Sequence, residues 1–322
     1  MTIVSMLDAV NAAQREEMRR DSRVFLMGED IRENMFGTAT GLVEEFGLER
    51  VRDTPISENG IVGAAAGAAM VGMRPILDMN IASFLYPAMD QLVSIVAKST
   101  YIYGGQAKMP LVVRATMFYN GSLAAQHSDR PYPMFMGIPG FKIIAPSSPY
   151  DMKGLLKAAI RDDDPVLCFE DVTLWTARGE VPDDDYLVPI GKAEIKREGS
   201  DITVVAISGC VPLALGAAEV LAAEGVSVEV IDPRSLVPMD WEAILTSVQK
   251  TGRLVAVDVA HRTCSVASEI TSTVAERGFW DLKGPVMRVT TPDILIPFSP
   301  VMERPLYPTR DSIVAAIRKA MK

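Results

Sequence analysis

Thr54-Pro55-Ile56-Ser57-Glu58-Asn59-Gly60-Ile61-Val62-Gly63-Ala64-Ala65-Ala66-Gly67-Ala68-Ala69-Met70 is the stretch from which the rest is read. Pro-Ile-Ser stops a strand and offers Ser57 as an N-cap for the helix that follows. That helix is built almost wholly from small residues, so another backbone can approach it closely. It has no polar face to give to water and is expected to be buried. Glu58 at its mouth is then half solvated at best. Burial favours the neutral form of a carboxyl, and a carboxyl near neutrality can exchange a proton with a bound ligand. The plainer reading is that Glu58 only stabilises the positive end of the helix.

Outward from this stretch, apolar runs alternate with helical patterns. Residues 3–20 read as an amphipathic helix, 24–30 as a buried strand ending in the acids Glu29 and Asp30, 75–79 as a strand and 87–103 as a helix. Further strands are expected at 111–115, 142–145 and 166–170, with a helix over 150–161. The alternation predicts an α/β domain over 1–175 with a mostly parallel sheet. Residues 176–192 are polar, turn-rich and acidic and read as a linker. Over 193–322, strands near 202–207, 226–231, 254–258 and 286–290 alternate with helices near 211–224, 239–250 and 265–277 and from Asp311, a compact doubly wound α/β domain. Residues 208–216 follow a strand and open a helix, as a dinucleotide fingerprint would. They lack G-x-G-x-x-G, and Pro212 sits where backbone amides should meet a pyrophosphate, so a plain βα turn is preferred.

The bulk numbers bound the class. A chain of 322 residues, 48% hydrophobic and 23% charged, suits two globular domains. Its net charge of −9 comes without a basic run that could track phosphates, which argues against nucleic acid. Residues 1–8 lack the basic start and apolar core of a signal peptide, and no apolar run reaches the ~18–20 residues of a membrane span. Cys168, Cys210 and Cys264 lie far apart with neither metal-type spacing nor a disulfide framework. These features predict a soluble cytoplasmic protein.

The chain has only two histidines. His127 lies in a Gly- and Pro-bearing connection, 120–131, between two strands; such connections are usually functional or mobile, and a loop His is the commonest proton carrier near neutral pH. His261 reads as a strand-end residue at an interface, beside an Arg that could contact an anion. Phe84, after 81–83, reads by itself as a core aromatic.

The pattern Pro-Ile-Ser-Glu-x-Gly-x-x-Gly-x-Ala-x-Gly-Ala-Ala resembles the signature of the β subunits of thiamine-diphosphate-dependent 2-oxo acid and acetoin dehydrogenases, and the resemblance runs over essentially the whole chain. It implies a transketolase-like pyrimidine-binding domain followed by a transketolase C-terminal-like domain. It also implies that Glu58 bonds the N1′ nitrogen of the thiamine aminopyrimidine, which assists loss of the thiazolium C2 proton. Glu29 and Ile56 would line the same cofactor, and Phe84 would pack against the aminopyrimidine. Ala-Ala-Gln-His-Ser resembles the family motif whose His faces substrate, giving His127 a role in transfer to the lipoyl group. Asp129 stands where the family usually has Gln, Ile81 and Ser83 depart from its pattern, and Arg32 to Gly37 replace its common Gly-Gly. In some members a potassium ion sits at a segment matching 150–165; its ligands here would be the carbonyls of Leu111, Ala159 and Asp162, with Asp164 nearby. The plainer reading, a helix C-terminal turn, is preferred.

No Gly-Asp-Gly occurs in the sequence. In this family that motif holds the diphosphate through Mg²⁺, so the resemblance implies that an E1 α subunit completes the site in an α2β2 heterotetramer, with the Gly/Ala helix at a subunit boundary. A lipoyl-bearing E2 acyltransferase would be the next partner. The implied reaction is cleavage of acetoin or decarboxylation of a 2-oxo acid, followed by acylation of the lipoyl group. Residues 178–182, 251–258, 261–264 and 297–300 look acetoin-type, so acetoin is favoured over pyruvate or a branched-chain 2-oxo acid. A self-contained transketolase-like enzyme is disfavoured by the missing motif. From another class, an inactive scaffold that binds an α-like partner or E2 is the alternative, against which the retention of Glu58, Phe84 and His127 argues.

Overall fold

The computed structural model describes residues 1–322. The chain divides into two compact units, Met1–Phe118 with Phe135–Ile190, and Tyr119–Met134 with Gly191–Lys322.

The first unit is organised by parallel strands in the order β3–β2–β4–β5–β7–β6, where β2 is Val24–Gly28, β3 Val51–Asp53, β4 Arg74–Ile81, β5 Val112–Met117, β6 Lys142–Ile144 and β7 Val166–Asp171. Their apolar runs are what a parallel sheet covered on both faces requires, and β2, β5 and β7 are buried at every position. The helix Pro149–Arg161 starts on Ser148, whose hydroxyl accepts from the Asp151 amide.

The structure departs from the sequence pattern at several places. The N-terminal helix begins at Met6, because Ser5 and Asp8 form a reciprocal capping box. Residues before it form strand β1, Thr2–Ser5, paired antiparallel with β8, Arg178–Val181. The stretch read as a linker is therefore partly a strand, and the first unit runs on to Ile190. Lys157 bonds Glu16 and Asp185, the rings of Tyr150 and Tyr186 stack at 4.8 Å, and Val188 is buried, so the acidic turn is tied down by partners that its composition does not reveal. Over 87–103 the regular helix is replaced by a wider π-turn, Gln91–Val96, followed by a short helix Ser99–Ile102.

The Gly/Ala helix, Glu58–Met70, is buried only through Ile61, Val62, Ala65, Ala66 and Ala69; Gly60, Ala64 and Gly67 form an exposed strip. Small side chains gave it no polar face, but smallness also let one side stay open without exposing bulk. Ser57 stands at the N-cap yet makes no side-chain cap bond. Instead its hydroxyl lies where a Cβ on Gly60 would come within 2.7 Å.

The second unit carries the sheet β14–β13–β10–β11–β9, with β9 Glu194–Arg197, β10 Ile202–Ala206, β11 Val228–Asp232, β13 Leu254–His261 and β14 Met287–Thr291; a short strand β12, Ser235–Val237, precedes the helix Trp241–Thr251. β10, β11, β13 and β14 are parallel, and β9 is an antiparallel edge. In the first unit the strand expected over 24–30 stops at Gly28, because the chain turns at Glu29 and Asp30, the latter at φ +51°. β9 was not legible because Glu-Ile-Lys-Arg has no apolar run. The helices Cys210–Ala222, Trp241–Thr251, Val266–Arg277 and Arg310–Ala320 alternate with the strands, the last three capped by Asp240, Ser265 and Thr309. No helix is long and apolar enough to cross a membrane.

Candidate functional site

Glu29, Ile56, Glu58 and Phe84 all arise just beyond the carboxyl ends of adjacent parallel strands, where open α/β sheets bind ligands. Gly28, the last residue of β2, pairs with Asp53 at the end of β3 and with Asp78 in β4. Glu29 follows β2, Ile56 and Glu58 follow β3, and Phe84 lies on the 3₁₀ turn Ala82–Leu85 that follows β4. Ile56 is exposed, while Glu29, Glu58 and Phe84 are half-buried. Burial pushes the Glu29 carboxyl above its ordinary value, and the charges of Asp30 and Glu58 push in the same direction. A partly buried carboxyl held above its ordinary value thus shares this end of the sheet with Asp30 and Glu58.

A buried polar network supports this edge and was missed in the sequence. Arg114 in β5 donates to Asp78 at 2.7 Å, to Gln14 at 3.1 Å and to both oxygens of Glu170 in β7 at 2.6 and 3.0 Å. Burial pulls the guanidinium down, but Asp78 and Glu170 outweigh that and hold it above its usual range, so it stays charged. The other oxygen of Asp78 accepts the Asn80 amide at 2.9 Å; Asn80 is left-handed at φ +56°, and its side chain donates to the Glu29 carbonyl at 3.2 Å. The chain of contacts therefore runs from Arg114 to the backbone of Glu29. Three charged residues inside apolar strands were the available signal.

His127 ends a short helical turn, Ala124–His127, within the segment that belongs to the second unit. That segment is held at both ends. Ser122 donates its amide to Glu303 at 2.8 Å, and the rings of Tyr119 and Tyr307 lie 5.0 Å apart. Arg130 donates to the Val259 carbonyl at 3.1 Å, and buried Tyr132 donates to Asp258. Burial raises the Asp258 carboxyl, offset in part by Tyr132 and by the amides of Ala260 and Ala267. His261 closes β13 as expected, with Nδ1 2.8 Å from the Pro292 carbonyl.

At the corner that the resemblance offers for potassium, two protein cations meet Asp162. The Asp162 carbonyl accepts from Arg74, and the Asp162 carboxylate takes Lys142 at 2.7 and 2.8 Å. Asp164 pairs with the same Lys142 at 3.1 Å. The carbonyls of Leu111 and Ala159 accept the amides of Val166 and Asp162. Arg74 and Lys142 thus already meet the oxygens of Asp162 with positive charge, while the carbonyls of Leu111 and Ala159 each accept a single amide.

Residues 3–175 match the family described as transketolase, pyrimidine binding domain, and 191–313 match transketolase, C-terminal domain. The chain is 46% identical to the acetoin:2,6-dichlorophenolindophenol oxidoreductase subunit beta of Bacillus subtilis (strain 168), over 97% of this chain and 96% of that protein. It is also 46% identical to the 2-oxoisovalerate dehydrogenase subunit beta of the same organism, over 99% of each. A solved structure described as a split gene transketolase, inactive beta4 tetramer, superposes with a TM-score of 0.80 at 22% identity, covering 99% of this chain and 98% of that one, a likeness of fold. With its strand-end carboxyls, its two matched domains and relatives aligned nearly end to end, the chain belongs to the transketolase-like family of acetoin and 2-oxo acid dehydrogenase β subunits.

Proposed function

We propose that this chain is the E1 β subunit of a thiamine-diphosphate-dependent dehydrogenase and supplies the aminopyrimidine half of its active site. The observation that carries the reading is the Glu29–Glu58 edge, two carboxyls at neighbouring strand ends with the Glu29 carboxyl pushed up by burial and by its acidic neighbours. The donor set fits the group: Glu58 to bond a ring nitrogen, half-buried Phe84 to meet a flat ring, and exposed Ile56 to give it an apolar seat. Bound thiamine diphosphate supplies a carbon nucleophile for the substrate carbonyl. This chain's part is to place the Glu58 carboxyl against the ring nitrogen, to seat the ring between Ile56 and Phe84, and to present His127 for proton handling during transfer.

The sequence lacks Gly-Asp-Gly, so we assign diphosphate and Mg²⁺ to an α subunit. The open strip of Gly60, Ala64 and Gly67 supports a close-packed partner on the helix that begins with Glu58, in an α2β2 assembly. A lipoyl-bearing E2 acyltransferase is the inferred acceptor. Potassium is left out of the proposal because Arg74 and Lys142 already meet Asp162 at that corner. Cys168 and Cys210 are buried thiols and Cys264 is an exposed one, which suits the reducing cytoplasm we infer for it.

Acetoin is the favoured substrate. A branched-chain 2-oxo acid is the second reading, because the acetoin-type and 2-oxoisovalerate-type relatives are both 46% identical. The test is purification with the native α partner and an artificial-acceptor assay offering acetoin, pyruvate and branched 2-oxo acids in parallel. Turnover of acetoin supports the first reading and turnover of a branched acid the second. A chain that recovers no partner and turns over none of them sinks both and favours an inactive scaffold.

A further inference from the structure

The geometry points to Glu303 as the residue that shapes the 119–134 segment and so positions His127; this rests on the reading of His127 as the residue facing substrate. Glu303 is fully buried at the end of the short helix Pro300–Glu303. One carboxylate oxygen accepts the Ser122 amide at 2.8 Å, and the other accepts the Tyr307 hydroxyl at 2.9 Å. The Tyr307 ring packs on Tyr119 at 5.0 Å, and the Arg130 guanidinium lies 5.4 Å from its centroid. One tyrosine, oriented by Glu303, thus meets the residue that opens the segment and a residue close to its end.

The backbone explains why such a hold is needed. Asn120, Ser122 and Ala124 all stand at φ +59°. Left-handed backbone is costly for residues with a Cβ, and Ala124 has no side chain with which to bond locally. A conformation of this kind persists only where its surroundings over-determine it. Glu303 bonds the amide of the middle residue of the three, away from water, with the added strength of a charged acceptor. The helical turn that ends in His127 begins at the third, Ala124. Releasing Ser122 frees the two positive-φ residues flanking it to relax, and the origin of the turn moves with them. Glu303 does not touch reacting atoms in this account; it is a positioning residue.

The test uses the full chain assembled with its α partner, with amide exchange followed peptide by peptide beside kcat and KM. In Glu303→Ala, exchange over 119–134 should quicken about tenfold or more while the rest of the second unit keeps its rate. The same variant should lower kcat about ten- to a hundredfold, with KM changing less. Glu303→Gln, with one carbonyl oxygen for two donors, should fall between. If Glu303→Ala does not fold, Tyr307→Phe keeps the ring and removes only the hydroxyl, and the rise in exchange should again be confined to 119–134. Unchanged exchange in that segment, or a rise spread over the whole second unit, overturns the proposal. So does faster exchange with unchanged kcat while His127→Ala is impaired. Normal turnover of His127→Ala defeats the reading of His127 instead, and the exchange pattern still decides what Glu303 holds.

Discussion

Arg114 grips Glu170 with two parallel bonds, Nε to Oε1 at 2.6 Å and Nη2 to Oε2 at 3.0 Å, inside a sheet where both side chains are about 1% exposed. Removing the cation strands buried carboxylates. Arg114→Met should therefore cost about 3–5 kcal/mol in denaturant unfolding of the full chain. Adding Glu170→Met, which removes one of the stranded charges, should recover part of the loss.

Gly28 is required by its neighbour. A Cβ there would stand 2.3 Å from the Asp78 carbonyl oxygen, and backbone cannot swing away as a flexible side chain can. Gly28→Ala should destabilise by about 1–3 kcal/mol. It should also lower turnover, because the displaced strand end carries Glu29. Thermal unfolding and the acceptor assay read the two effects separately.

The Glu29 carboxyl is raised, so between the ordinary and the raised value the native state binds more protons than the unfolded one. Stability from this group is fully present below the ordinary value near 4.5 and is lost as pH rises through the native value. Glu29→Gln has no such charge to bury. Its melting temperature should exceed that of the wild type at pH 7, and the gap should close as pH is lowered toward the ordinary value. A gap that widens on acidification contradicts the assignment.

Ala64 lies on the open strip of the Glu58–Met70 helix. Ala64→Leu should leave the isolated chain within about 0.5 kcal/mol of the wild type, since the strip faces no other part of its own unit's core. Assembly with the α partner should weaken by about 1–3 kcal/mol, measured by sedimentation. Unaltered assembly would remove the helix from the interface.

What the sequence showed and hid divides along physical lines. The apolar runs of β2, β5, β7, β10 and β13 could be read directly, because a parallel sheet buried on both faces admits little else. The Gly/Ala run located its helix but not its exposure, since small residues tolerate either fate. The strand Glu194–Arg197 and the pairing of Arg178–Val181 with Thr2–Ser5 depend on distant partners and carry no local pattern. Glu58, Glu29, Ile56 and Phe84 came from motif resemblance, and the fold places each of them just after the carboxyl end of β2, β3 or β4. The Arg114 network and Glu303 were missed because each lies many residues from what it supports.

The most direct test of the half-site account is turnover of the wild-type chain and of Glu58→Ala, each assembled with the α partner and supplied with thiamine diphosphate and Mg²⁺. The account predicts cofactor-dependent turnover for the wild type. For Glu58→Ala it predicts a loss of at least about a hundredfold, with assembly and melting unchanged. Near-normal turnover by Glu58→Ala would contradict it.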